Sequence, residues 1–149
     1  MSAASPDLTQ HSPRSPRVRL GGFVLLPRML DKGRAELAGR NGEYHYNCPL
    51  DRRFLEFAGI DAEALKAQLA AGKGDREVLE WVMENASAKP SVLEIAAWSR
   101  MQEERVPGDL ESRDFFNELH KGADPLREDI QTWFDLLDLD DYATFGGRT

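Results

Sequence analysis

The chain has a single cysteine, Cys48, so no internal disulfide can form. It has no apolar run near the ~20 residues that a membrane span needs. The longest, Gly21–Leu26, suits only a short buried strand or turn. The opening MSAASPDLTQHSPRSPRVRL lacks the apolar core of a secretory signal. These absences lead us to expect a cytoplasmic protein in a reducing compartment, with no membrane association. Several motifs are missing as well. There is no HExxH, no CxxC and no histidine pair at i, i+4, which leaves a zinc site without support. There is no GxxxxGK[ST], GxSxG or GxGxxG, which removes the commoner nucleotide-binding and acyl-transfer chemistries. From Asp138 the run D-L-D-D-Y-A lacks the glycine and the later glutamate of a calcium loop. We therefore expect no metal, and nothing in the sequence names a cofactor.

Positive charge is also scarce. The formal net charge is −7. Residues 1–20 carry Arg14, Arg17 and Arg19 against Asp7, while Asp109–Thr149 holds eleven acids against four bases. Phosphate backbones are held by basic patches, so the acidic last third argues against nucleic-acid binding.

What is present reads as a globular helical protein. At 149 residues, 41% hydrophobic and 30% charged, the chain can bury a core without disulfides or metal. Residues 1–17 are rich in Ser, Pro and Ala and lack periodic apolar positions, so we read them as a disordered tail. The rest, residues 18–149, reads as one domain. Pro27 suits the first turn of a helix that runs to Ala38. Asn41-Gly42 marks a turn, and Arg40–Asp51 reads as an ordered loop. Further helices follow over Arg52–Ala58, Ala62–Ala71 and Arg76–Ala86, with Asp51, Asp61 and Asp75 as their caps. Ser91 and Glu94 form a capping box for a helix to Glu104. A helix from Asp109 or Ser112 to Lys121 and a last one over Arg127–Leu137 complete the set. Without an alternating strand pattern, the fold expected is all-α, a compact orthogonal bundle of six or seven short helices.

The unusual polar chemistry gathers in two stretches, LPRMLDKGR (Leu26–Arg34) and YHYNCPLD (Tyr44–Asp51). Arg28, Asp31 and Lys32 are i, i+3 and i, i+4 neighbours on one helix face. An arginine fork steadied by Asp31 is a candidate clamp for an anion. The bland alternative is a solvated salt-bridge face. His45 is a candidate acid or base, and Cys48 a nucleophile only where positive charge favours its thiolate. Asp135, Asp138, Asp140 and Asp141 read as a solvated acidic helix end.

The run from Gly21-Gly22 through Pro27-Arg28-Met29-Leu30-Asp31-Lys32 to Tyr44, with Phe54-Leu55, Asp129–Asp135 and Asp138, resembles a family of small bacterial proteins known as domain of unknown function 5069. The resemblance covers about Val18 to Asp141. It implies that Arg28, Asp31, Lys32 and Tyr44 belong to a shared pattern, and it brings no activity with it. Two expectations for function stay open. One is a pocket for a small polar or anionic molecule lined by Arg28, Asp31, Lys32, Tyr44 and His45, enzymatic or not. The other is a non-enzymatic module that meets a protein partner through the acidic C-terminal third or the Ser-Pro tail.

Overall fold

The structure is a computed structural model and describes residues 4–146. Among these residues there are seven helices: α1 (Leu26–Leu37), α2 (Pro49–Ala58), α3 (Ala62–Ala70), α4 (Asp75–Asn85), α5 (Val92–Glu104), α6 (Leu110–Ala123) and α7 (Trp133–Thr144). Among the described residues there is no strand, only an isolated bridge between Leu20 and Phe23. None of these helices is long and apolar enough to cross a membrane. The all-α expectation holds.

The main core is built on the segment that enters α1. Phe23, Val24, Leu25 and Leu26 are all buried. Phe23 meets Phe54 of α2 edge to face at 5.1 Å, and Phe57 stacks on Trp98 of α5 at 4.7 Å. Such aromatic pairs are worth ~1 kcal/mol beyond the area they bury. Ser99, fully buried on α5, anchors this entry segment. Its hydroxyl donates to the Gly22 carbonyl at 2.6 Å and accepts from the Val24 N–H at 3.1 Å. Gly33 lets α3 approach α1 closely, because a Cβ there would lie 2.5 Å from Leu69 Cδ1. A second, smaller core of Phe116, Ile130, Leu136 and Leu139 joins α6 to α7.

The starts of α2, α4 and α7 differ from the sequence reading, the first two because a carboxylate found a stronger partner. Helix α2 begins at Pro49, not Arg52. Asp51 is not its cap: it is 1% exposed and pairs with Lys32. Helix α4 begins at Asp75 behind Gly74, and Asp75 binds two arginines. The last helix is shifted by half its length. Residues 127–132 are loop, and Thr132 with Asp135 forms the capping box that starts α7. The Trp133 N–H also bonds back to the Arg105 carbonyl at 3.0 Å.

The largest difference lies at the N-terminus. The stretch 1–17 expected to be disordered is, from Asp7 onward, a strap laid across the helices. Residues 1–3 of that tail lie outside the described residues. Leu8 is 1% exposed, and its N–H donates to the Arg40 carbonyl at 2.8 Å. Gly42, at φ +55°, clears room for that backbone, since a Cβ there would lie 2.9 Å from the Leu8 carbonyl oxygen. Arg14 forks onto Asp31 and also reaches Asp75 at 2.7 Å. Arg17 pairs with Asp135 and Asp138. Composition hides such a strap, because a few specific contacts hold it rather than a periodic apolar face.

Candidate functional site

Where α1, the 42–48 loop, the start of α2 and the end of α7 meet, they leave a cleft of about 680 Å³. Arg28, Lys32, Tyr44 and His45 line it, and so do Cys48, Glu43 and Asp140. Leu8 and Thr9 of the strap form part of its wall. Four of the five residues singled out from the sequence are thus brought together. The fifth, Asp31, lines a separate cleft of about 660 Å³ between the strap and α7.

The two cations in the cleft are buried and already paired. Arg28 is 4% exposed and forks onto Asp141, at 2.8 and 3.3 Å. Its guanidinium also donates to the Arg14 carbonyl and lies over the Tyr44 ring at 5.5 Å. Burial works against its charge, and the hydrogen bonds and charge of Asp141, with the nearby Tyr44 and Asp138, together outweigh it, so its pKa is raised. Lys32, 3% exposed, donates to Asp51 Oδ1 at 2.8 Å and to Cys48 Sγ at 3.2 Å. The other Asp51 oxygen accepts the Asn47 N–H at 2.9 Å. Helix α1 can carry these charges inward because α2 and α7 each bring a carboxylate to meet them.

Tyr44 caps this network. Its hydroxyl donates to Asp141 Oδ1 at 2.7 Å, and its ring stacks on Phe145 at 6.5 Å. Burial, and then the hydrogen bond to Asp141, hold its phenol well above the usual tyrosine range. At the mouth stand Glu43, His45 and Asp140, all exposed. Asp140 has no ion pair among the described residues. Partial burial first, then the neighbouring charges of Asp141 and Glu43, push its carboxyl above the usual range.

The clamp imagined from the sequence is therefore wired differently. Asp31 does not steady Arg28. It holds Arg14 of the strap, while the fork of Arg28 belongs to Asp141, 113 positions away. The acidic helix end is likewise not a free solvated surface. Asp135 and Asp138 bind Arg17, Ser15 donates to Asp138 at 2.7 Å, and Asp141 is 4% exposed. No group of three ligating side chains suited to a metal ion occurs among the described residues.

A family model described as "Domain of unknown function (DUF5069)" matches residues 10–143. The chain belongs to this family. None of the curated proteins matches it. The DUF5069 match takes in the strap from residue 10 and α7 past Asp141, so the Arg14, Arg17 and Arg28 pairings all lie within the family's span.

Sequence reasoning missed Asp51, Asp141 and Leu8 as parts of this region. The cap position of Asp51 and the acidic run around Asp141 each offered a local explanation that masked the distant partner. Leu8, the lone large apolar residue in the first ten apart from Met1, was the available signal for the strap.

Proposed function

We propose that the protein binds a small polar molecule in the cleft between α1, the 42–48 loop and α7. The observation that carries this reading is the convergence of Arg28, Lys32, Tyr44, His45 and Cys48 on one concave space. Two sequence segments supply these groups, and local helix formation requires neither set there.

The pairing pattern favours a different charge from the one expected. Arg28 and Lys32 are neutralised by Asp141 and Asp51, so an anion gains little from them. Asp140 and Glu43 stand at the mouth without a cation. A ligand that donates hydrogen bonds, such as an amine, meets those carboxylates, with His45 and the Thr9 and Thr144 side chains to orient it.

Protein-observed NMR with a fragment set of amines, carboxylic acids and neutral amides tests this. Amine fragments should perturb residues 43–45 and 140, and D140N should abolish the effect while the fold stays intact. Fragments that perturb other surfaces only, or carboxylates alone at this mouth, would refute the reading.

A further inference from the structure

Two kinds of surface line the cleft between α1, the 42–48 loop and α7, and the second kind is apolar. Leu50 of α2, Leu137 of α7 and Phe145, which follows α7, all face this space. Leu50 and Leu137 rest on the main core, yet both stay half-buried, so each keeps a side for the cleft. Phe145 is half-buried too, its ring within 11° of parallel to that of Tyr44 at 6.5 Å. Leu8 of the strap adds to the same wall. A polar ligand alone would leave this apolar surface wet.

The polar surface has a sign. Arg28 and Lys32 are neutralised by Asp141 and Asp51, each at 2.8 Å. Glu43 and Asp140 are exposed at the mouth and have no ion pair among the described residues. His45 shares the mouth, and a neutral imidazole can accept a hydrogen bond from the same donor. The cleft thus offers negative charge at its rim and apolar carbon behind it. Ligand pockets are built this way, with apolar walls for area and a few polar groups for orientation.

We propose that the ligand of this cleft is an amphiphilic amine, a primary ammonium carried on an alkyl or arylalkyl tail. The ammonium meets Glu43 and Asp140, and the tail covers Leu50, Leu137 and Phe145. The Phe145 ring suits both parts, since an aromatic face attracts a cation and packs against hydrocarbon. This inference rests on the reading of the cleft as an amine site and adds the tail to it.

The test is a titration of the full chain with the n-alkylamines from methylamine to hexylamine, and with hexanoate, at constant ionic strength. Amide NMR signals of residues 43–45 and 140 report the head, and the Leu50 and Leu137 methyl signals report the tail. Affinity should rise about two- to fourfold per methylene, and hexylamine should bind about tenfold or more tighter than both methylamine and hexanoate. L137Q and F145A should each cut the advantage of hexylamine over methylamine about threefold or more. Phe145 lies beyond the last residue of α7, so F145A keeps the test alive even if L137Q fails to fold. Equal affinities for methylamine and hexylamine, with shifts at 43–45 and 140, would overturn the tail and leave the amine site standing. No shift there with any amine would remove the amine site and the tail with it. Hexanoate binding as tightly as hexylamine would show uptake by apolar surface alone and would also overturn the proposal.

Discussion

Lys32 holds a full charge at 3% exposure, and Asp51 at 2.8 Å makes that tolerable. A buried ion pair is weak evidence for net stability, because desolvation offsets most of its attraction. Its asymmetry is the informative part. D51A leaves the Lys32 ammonium buried with only a thiol beside it, and we expect a loss of about 3–5 kcal/mol in urea unfolding. The double variant K32M/D51L removes both charges and should recover most of that loss. If D51A costs under ~1 kcal/mol, Lys32 has found water and the pairing is not structural. Asp140 behaves in the opposite way. Its carboxyl is raised above the usual range by partial burial and by Asp141 and Glu43, so its ionised form is disfavoured in the folded state. The stability linked to it is present below its unfolded pKa of about 4 and is lost as pH rises through the raised value. D140N should therefore unfold at a higher temperature than wild type at pH 7 and lose that advantage at pH 3. Equal midpoints at pH 7 would show that solvent already relieves the charge.

At the scale of elements, legibility followed how local the determining signal was. Helix α5 was readable because Ser91 and Glu94 cap each other within four residues. Helix α3 was readable because Asp61 accepts the Ala64 N–H. Helix α7 was misplaced because Ile130, Trp133, Phe134 and Leu137 fit one helical face in sequence, yet Ile130 packs from a loop into the second core. The site was legible in its members and illegible in its wiring. Arg28, Lys32, Tyr44 and His45 could be picked out by type, whereas the carboxylates that hold the first three lie 19 to 113 positions away. The strap was illegible for the same reason, and it makes the sharpest prediction at this scale. L8A removes a side chain that is 1% exposed under the 40–44 turn, and should cost about 2–4 kcal/mol. The strap also walls the cleft through Leu8 and Thr9. Backbone amide exchange of residues 41–45 should accelerate in L8A together with the stability loss. A neutral L8A would mean that the strap rests on the surface without holding it.

For the molecule as a whole, ion pairs do the long-range tying that short helices cannot. Arg14 links the strap to α1 and α4, Arg34 links α1 to α4, and Arg28 links α1 to α7. Asp75 is the node shared by Arg14 and Arg34. Burial pushes its pKa up, but the hydrogen bonds from those two arginines outweigh it, and the carboxyl stays below the ordinary value of 3.8. Asp135, bonded to the Thr132 and Gln131 N–H groups and paired with Arg17, is held low as well. Glu36 is lowered by Lys66 from 4.5. Groups lowered in this way add stability that is complete above their unfolded values and disappears as pH falls through the folded ones. Asp7, Glu94, Asp109 and Asp129 are lowered too, and these seven carboxyls against the single raised Asp140 make acid destabilising on balance. The melting temperature should be nearly flat from pH 8 to about 5 and fall steeply below about 4. D75N should lower it by a few degrees at pH 7 and flatten the acid limb, since the variant has no proton left to take up there. Calorimetry across the pH series checks both parts. A D75N acid limb as steep as the wild-type one would show that the node is not where the molecule feels acid, and would move that role to Asp135 and Glu36.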